Sequence, residues 1–203
     1  MKIICIGRNY AEHAKELNNE VPEAPVLFMK PKSALQLPEK PFYYPDFTTD
    51  LHYECEVVVK MQKNGRAISE KFAPRYYKEI SVGLDFTARD LQTQQKKKGL
   101  PWEIAKAFDG SAVVGKFIEL PNIEELNSLD FHLDINGNTV QKGNTQDMIY
   151  NVNQIIAYAS RFFTLNMGDL IFTGTPAGVG PVAANDHLEG YLKGEKLFDV
   201  TVR

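Results

Sequence analysis

The stretch "HYECEVVVKM", residues 52–61, has the two-residue period of a β-strand and places two glutamates one residue apart near its start. Side chains at alternate positions of a strand point to the same face of the sheet. One face is apolar or aromatic throughout and consists of Tyr53, Cys55, Val57, Val59 and Met61. The opposite face begins with His52, Glu54 and Glu56. The pattern predicts a strand that buries its first face in the core.

The two glutamates leave two interpretations open. In water, two carboxylates about 7 Å apart repel by only roughly 0.6 kcal/mol, so Glu54 and Glu56 suit the solvated face of an amphipathic strand. If the pair is partly buried, the repulsion rises to roughly 2 to 3 kcal/mol and the pair needs a cation. The stretch by itself favours the solvated face.

Length and composition predict one globular domain spanning residues 1–203. The chain is 43% hydrophobic and 24% charged, with a net charge of −3, which favours neither nucleic acid nor an anionic membrane as a partner. No window approaches the ~20 apolar residues of a membrane span. The two cysteines, Cys5 and Cys55, lie in apolar segments and are expected to be free thiols in a cytoplasmic protein. The short basic run at residues 96–98 is expected to be a solvated surface turn.

The predicted elements are mostly strands. Strands are expected at 2–7, 52–61 and 81–88, and a hairpin is expected at Asn136-Gly137, because this pair supplies the positive φ angles of a tight turn. Helices are expected at 9–18, which Asn9 could cap, at 89–99, which ends at Gly99, and at 148–163. Strands and helices do not alternate regularly. The expectation is therefore a β-rich α+β domain with a few short helices.

A third carboxylate, Asp85, follows 29 residues after Glu56 in a second strand-like segment. If the two strands are neighbours, the three oxygens suit a hard divalent cation such as Mg²⁺ or Mn²⁺. The alternative is that Asp85 caps a helix or pairs with Arg89.

His13 and Glu16 are three residues apart in the first predicted helix and would share one face. A carboxylate beside an imidazole raises its basicity and fixes its tautomer, which makes a general base. A solvated surface pair is the alternative. Lys30 and Lys106 lie in apolar settings and either extend to the surface or point into a site. The glycines of "GTPAGVG", residues 174–180, are expected to bring backbone N–H groups close to a ligand.

Taken together, these segments resemble the fumarylacetoacetate hydrolase family. The resemblance covers nearly the whole chain in order and is carried by "GRNYAEHAKE" (7–16), "PVLFMKP" (25–31), "HYECEVVV" (52–59), "LDFTARDLQ" (84–92), "KKKGLPWEIAKAFD" (96–109) and "GDLIFTGTPAGVGPV" (168–182). It is similar in particular to the small single-domain members that act as acylpyruvate hydrolases and oxaloacetate decarboxylases. The implied fold is a roll of layered mixed β-sheets, with a lid helix within residues 1–20. The implied assembly is a homodimer.

The resemblance also implies roles for residues. It replaces the solvated interpretation of the glutamates by a Mg²⁺ or Mn²⁺ site of Glu54, Glu56 and Asp85. It implies catalytic roles for the lid pair and the site lysine, and substrate contacts at a further set of positions. The catalytic residues would be His13, Glu16 and Lys106, and the substrate contacts would be Arg8, Lys30, Arg89, Gln92 and Thr175.

The implied reaction is cleavage of a C–C bond in a 2-oxo acid through a metal-stabilised pyruvate enolate. Acylpyruvate hydrolysis would use water activated by His13, whereas oxaloacetate decarboxylation would need no nucleophile. The alternatives are a 2-hydroxyhepta-2,4-diene-1,7-dioate isomerase or decarboxylase and, less expected, a catalytically silent metal-binding protein. Three carboxylates and one divalent ion have a net charge of −1, and a dianionic substrate takes the sum to −3. Lys106, Arg8 and Lys30 are expected to offset this negative charge.

Overall fold

Fourteen strands and four α-helices occur in the part of the chain that the computed structural model describes, residues 1–16, 20–36, 40–120 and 122–203. The strands are β1 (Ile3–Gly7), β2 (Val26–Lys30), β3 (Leu51–Tyr53), β4 (Cys55–Met61), β5 (Tyr77–Asp85), β6 (Thr87–Ala88), β7 (Ala112–Val114), β8 (Ile118–Glu119), β9 (Asp130–Ile135), β10 (Asn138–Asn144), β11 (Leu170–Phe172), β12 (Gly180–Pro181), β13 (His187–Leu192) and β14 (Glu195–Thr201). The helices are α1 (Ala11–Glu16), α2 (Arg89–Lys98), α3 (Glu103–Lys106) and α4 (Val152–Phe162). Short 3-10 turns occur at Lys32–Ala34, Glu70–Arg75, Ile123–Asn127 and Thr145–Asp147.

The strands form three sheets. The largest has the order β2-β1-β11-β4-β5-β7, with β8 also paired to β5, and it is mixed because β1 and β11 run parallel while the other neighbours are antiparallel. A four-stranded sheet has the order β10-β9-β13-β14, and a three-stranded sheet has the order β12-β3-β6. This arrangement confirms the predicted β-rich α+β fold of layered mixed sheets with a few short helices.

The stretch 52–61 forms two strands instead of the single strand expected. The strand is interrupted at Glu54, whose backbone oxygen accepts a hydrogen bond from the N–H of Asp85 at 2.9 Å. On either side of this residue, β3 belongs to the three-stranded sheet and β4 lies in the centre of the large one. A local alternation pattern cannot reveal this break, because Asp85 lies 31 positions away in the sequence.

Both faces of β4 are covered. The predicted apolar face packs in the main core cluster, together with side chains of β5, β9, β13 and α4. On the other face, Val58 is fully buried in a second cluster with Cys5 and Phe172. The face that carries the glutamates is therefore closed to water over much of its length, which removes the solvated interpretation of Glu54 and Glu56.

The predicted turns and helix ends agree with the structure in most places. Asn136 and Gly137 have φ angles of 52° and 77°, as the predicted hairpin turn requires. Gly99 ends α2 with a φ of 63°. Helix α4 begins later than expected, because the Asn151 side chain caps it in a reciprocal bond pair with Gln154. Helix α1 begins after Asn9, and residues 17 and 18 of the predicted helix lie outside the described residues. None of the described helices is long and apolar enough to cross a membrane.

Candidate metal centre and active site

Three carboxylates converge where β4 and β5 meet the three-stranded sheet. The pairing of Cys55 with Leu84 brings the start of β4 beside the end of β5. One oxygen from each of Glu54, Glu56 and Asp85 lies within 4.8 Å of the other two. The three residues are only 6%, 2% and 0% exposed. The structure therefore brings together the three residues that the sequence proposes as metal ligands.

Three cationic side chains surround this acidic cluster. The ammonium group of Lys106 lies 2.7 Å from both Glu54 Oε2 and Asp85 Oδ2, and that of Lys30 lies 2.6 Å from Asp85 Oδ1. The guanidinium group of Arg89 donates to Glu54 Oε1 at 2.7 Å. Arg89 thus pairs with Glu54 and not with Asp85, contrary to the alternative drawn from the sequence. When all three carboxylates are ionised, the three positive charges balance the three negative charges.

The electrostatics of the cluster fit a further cation. Burial raises the pKa of Glu56 well above its usual value, and the neighbouring charges of Asp85 and Glu54 raise it further. Burial also acts to raise the pKa of Glu54, but Lys106 and Arg89 outweigh it and hold this pKa well below its usual range. Hard oxygen ligands with one poorly stabilised carboxylate suit Mg²⁺ or Mn²⁺, because a bound divalent ion favours the charged form of every ligand.

Lys30 is buried and forms an ion pair with Asp85. Its ammonium group donates to Ser111 Oγ at 2.9 Å and to the backbone oxygen of Lys106. The residue is only 1% exposed. The position favours a role in fixing Asp85 and the end of α3, whereas the sequence proposed Lys30 as a substrate contact.

A cavity of about 30 Å³ opens beside the carboxylates. Its lining includes four of the five proposed substrate contacts, two of the proposed metal ligands and the proposed base. The lining residues are Ile6, Gly7, Arg8, His13, Phe28, Glu54, Glu56, Arg89, Gln92, Lys96, Trp102 and Thr175. The enclosed part of the cavity holds about one water molecule.

Lys96 differs from its expected surface position. Lys97 and Lys98 of the same run are exposed, but Lys96 is half-buried and lines the cavity. Its ammonium group lies 5.5 Å from the centre of the Trp102 ring. Arg89, Gln92 and Lys96 follow one another along α2 at steps of three and four residues. This spacing places all three on one helix face.

His13 and Glu16 form the pair expected from the sequence, and the histidine is buried. His13 Nδ1 lies 3.2 Å from Glu16 Oε2, and His13 is 5% exposed. Burial lowers the pKa of His13 despite the opposing charges of Glu54 and Glu16. The imidazole is therefore neutral near pH 7 and able to accept a proton. A solvated surface pair does not describe this arrangement.

The glycine-rich loop 174–180 contacts both the carboxylate cluster and the His13–Glu16 pair. The N–H of Gly174 donates to Glu56 Oε2 at 2.7 Å, and the N–H of Gly178 donates to Glu16 Oε1 at 3.1 Å. Both glycines have positive φ, 98° and 96°, and a Cβ on Gly174 would lie 2.7 Å from that of Asn9. The loop places N–H groups as the sequence predicts, but they bind the site's own carboxylates.

Two buried amides position this loop: Gln141, which the sequence did not indicate, and Asn9, which was expected to cap a helix but bonds to Thr173 and Tyr150 instead. Gln141 Nε2 donates to Thr175 Oγ1 at 2.8 Å, and Gln141 Oε1 accepts from the N–H of Cys55 at 3.0 Å. The Thr175 hydroxyl donates in turn to the backbone oxygen of Cys55 at 2.8 Å. Asn9 donates to the backbone oxygen of Thr173 at 2.7 Å. Neither set of contacts carries a local signal, since each partner is distant along the chain.

The two cysteines are free and buried, as expected. Burial raises the pKa of both thiols, and in each case a nearby carboxylate adds to the effect. Neither thiol is therefore suited to act as a nucleophile.

The comparison with protein families gives one match. The model described as "Fumarylacetoacetate (FAA) hydrolase C-terminal" matches residues 2–202.

Curated relatives and a solved structure agree with this match. The mitochondrial oxaloacetate tautomerase of Bos taurus is 44% identical over 192 residues, which cover 95% of this chain and 87% of the relative. The mitochondrial oxaloacetate decarboxylase of Dictyostelium discoideum is 40% identical, with 100% of this chain and 94% of the relative covered. The fumarylpyruvate hydrolase of Pseudomonas aeruginosa, solved with Mn²⁺ and pyruvate, superposes with a TM-score of 0.92 at 36% identity, covering 100% of this chain and 89% of that one.

Proposed function

The chain belongs to the fumarylacetoacetate hydrolase family, and on that premise we propose that it is a metal-dependent enzyme that breaks a C–C bond of a 2-oxo acid. The substrates we propose are acylpyruvates, oxaloacetate or both. The proposal depends on one observation above all: the buried cluster of Glu54, Glu56 and Asp85 adjoins the cavity that His13 lines. Relatives named for oxaloacetate and fumarylpyruvate support the substrate class.

Glu54, Glu56 and Asp85 would hold Mg²⁺ or Mn²⁺. A divalent ion bound there supplies a Lewis acid that stabilises negative charge on the keto oxygen of the substrate. Lys106 contributes a second positive charge, because its ammonium group already contacts Glu54 and Asp85. The neutral balance of the cluster becomes two positive charges when the ion binds, so a substrate with two negative charges restores neutrality in a buried site.

His13 would act as the general base. Its partner Glu16, itself fixed by the N–H of Gly178, orients the ring and stabilises the imidazolium that forms. In acylpyruvate hydrolysis His13 takes a proton from the water that attacks the distal carbonyl. In oxaloacetate decarboxylation no water attacks, and the enolate left when CO₂ departs takes up a proton at C3 from solvent.

Tautomerisation of oxaloacetate is a second candidate, favoured by the name of the Bos taurus relative. This reaction moves a proton between C3 and the keto oxygen without breaking a C–C bond. The same two components would serve it, a base at His13 and a positive charge at the keto oxygen. The isomerase or decarboxylase acting on 2-hydroxyhepta-2,4-diene-1,7-dioate is an alternative with the same requirements.

The experiment is a substrate panel with the purified chain. Acetylpyruvate and oxaloacetate are each incubated with Mg²⁺ or Mn²⁺ and with excess EDTA, while pyruvate release and the keto–enol ratio of oxaloacetate are followed separately. Pyruvate release that requires both the chain and the metal ion supports C–C cleavage. A change in the keto–enol rate alone supports tautomerisation. Metal binding without turnover of any substrate would identify a silent binding protein and overturn the proposal.

The predicted homodimer, the cytoplasmic location and the lack of nucleic-acid and membrane partners stay predictions. Analytical ultracentrifugation of the purified chain tests the first of these. A monomer at micromolar concentration would contradict it.

A further inference from the structure

Lys96 brings an additional positive charge to the cavity. It lines the cavity with Arg8 and Arg89. Arg89 is paired with Glu54, whereas Lys96 and Arg8 form no ion pair within residues 1–16, 20–36, 40–120 and 122–203. The Nε of Arg8 is also buried without a hydrogen-bond partner in that part of the chain. Two cations that line one small cavity therefore have no ion-pair partner among the described residues.

Two aromatic rings connect the metal cluster to Lys96. The ammonium group of Lys106, which contacts Glu54 and Asp85, lies 5.3 Å from the centre of the Phe28 ring. Phe28 packs against Trp102 with ring centres 5.8 Å apart. The ammonium group of Lys96 lies 5.5 Å from the centre of the Trp102 ring. Phe28, Trp102 and Lys96 line the same cavity as Glu54 and Glu56, so one ligand in that cavity can contact both the carboxylate cluster and Lys96.

The positive charge on Lys96 is poorly stabilised without a ligand. Burial lowers the pKa of Lys96 to about 8, and repulsion from Arg8 and Arg89 adds to this effect. The face of Trp102 offsets only part of the lost hydration. An anionic group on a ligand would supply the missing partner for both Lys96 and Arg8.

We propose that Lys96, with Arg8 beside it, binds the remote carboxylate of a dicarboxylic 2-oxo acid and so selects dicarboxylates over substrates with an uncharged tail. The inference rests on the proposed function, since it names the substrate class of the same site. In this arrangement the 2-oxo acid group of the substrate, with its adjacent carboxylate and keto oxygen, lies against the carboxylate cluster. The second carboxylate lies along Phe28 and Trp102.

In oxaloacetate the remote group is the C4 carboxylate, which is also the group that leaves as CO₂. Lys96 binds the C4 carboxylate, which strengthens substrate binding. Loss of CO₂ would draw an electron pair out of that carboxylate into C3, and a cation beside the carboxylate opposes this movement. Lys96 therefore lowers KM for oxaloacetate without accelerating decarboxylation.

The test compares Lys96→Gln with the matched control Lys97→Gln, an exposed lysine of the same run. Steady-state kinetics use oxaloacetate and acetylpyruvate at saturating Mg²⁺, and oxalate serves as a competitive inhibitor that lacks a remote carboxylate. In Lys96→Gln we expect KM for oxaloacetate to rise about 10- to 100-fold, the effect of one charge-assisted hydrogen bond. We expect kcat to stay the same or rise. KM for acetylpyruvate, Ki for oxalate and all constants of Lys97→Gln should change less than about twofold.

Two results would overturn the inference. An equal loss with acetylpyruvate and oxaloacetate would show a general structural role for Lys96, and unchanged oxaloacetate constants would show that Lys96 does not contact the substrate. Failure of the proposed function gives a different pattern, in which the unsubstituted chain turns over neither compound. In that case calorimetry with 2-oxoglutarate and with pyruvate still tests the inference. Tighter binding of the dicarboxylate, lost in Lys96→Gln, would support it, and equal binding of the two would contradict it.

Discussion

The two ends of the strand pair β4 and β5 place charged side chains in opposite environments, one exposed to water and the other buried. At one end, Lys60 lies opposite Glu79, and the two side chains form an ion pair of 3.1 Å while 36% and 31% exposed. At the other end, Glu56 and Asp85 are 2% and 0% exposed and share one cluster of like charges. The same pair of strands thus has a solvated end and a closed end.

The difference shows which charges serve stability and which serve chemistry. An exposed ion pair contributes about 0 to 1 kcal/mol and costs little to build. Removing a carboxylate from water costs several kcal/mol per ion, and its partners rarely recover more than that. The closed end gathers three carboxylates and three cations at such a cost. Its arrangement therefore fits the metal site that we propose and is not explained by the stability of the sheet.

Glu56→Gln tests the closed end most severely. The substitution keeps the shape of the side chain but removes one metal ligand and its charge, so we expect turnover in saturating Mg²⁺ to fall at least about 10³-fold. Initial rates and isothermal titration with Mn²⁺ measure the loss. Glu79→Gln, on the neighbouring strand at the solvated end, is the control and should keep full activity. Full activity of Glu56→Gln would remove the distinction between the two ends.

Lys30→Met and Lys60→Met compare the same substitution at the two ends. Lys30 loses a fully buried contact with Asp85, so we expect the free energy of unfolding to fall by about 3 to 5 kcal/mol. Lys60→Met should lower the free energy of unfolding by less than about 1 kcal/mol, because the Lys60 ion pair is partly exposed. Urea unfolding in EDTA measures both values. Equal costs would mean that burial does not set the strength of these pairs.

His13→Gln separates proton transfer from metal binding at the closed end. We expect acylpyruvate hydrolysis to slow by about 10²-fold, because the base is lost. Mn²⁺ affinity should stay within about threefold, since the three carboxylates remain. A parallel loss of Mn²⁺ affinity would identify His13 as a ligand or a structural residue.

The pH dependence of oxaloacetate turnover gives the smallest expected effect. Lys96, whose pKa burial and its cationic neighbours lower to about 8, is charged below that pH and neutral above it. The groups that act on it are Arg8, Arg89, Glu54 and Lys106. We therefore expect kcat/KM for oxaloacetate to fall about tenfold per pH unit as pH rises above about 8. A profile measured at constant ionic strength should lose this decline in Lys96→Gln, and its persistence there would assign it to another group.

Most of the fold follows from local patterns, and the departures have tertiary causes. Alternation in 52–61 predicted the buried face, and Asn136-Gly137 predicted the hairpin. The break at Glu54 coincides with its contact with Asp85, which no local pattern contains. The covering of the glutamate face likewise comes from other strands.

The site was less predictable than the fold, and for identifiable reasons. The convergence of the carboxylates required the resemblance, because the residues alone favoured a solvated face. The basic run at residues 96–98 was expected to be a solvated surface turn. The spacing of Arg89, Gln92 and Lys96 nevertheless indicates that these three residues share one face of α2. Gln141 gave no signal, and Asn9 was expected only to cap a helix, since the contacts of a buried amide are recognised only in the folded chain.

We propose that Glu54, Glu56 and Asp85 bind one divalent cation in a closed pocket. A crystal structure with Mn²⁺ and oxalate, with data collected to show the anomalous scattering of manganese, would show the ion itself. We expect one anomalous peak within bonding distance of an oxygen of each carboxylate and of oxalate. A map without a peak there, with Lys106 still bridging Glu54 and Asp85 at saturating Mn²⁺, would contradict it.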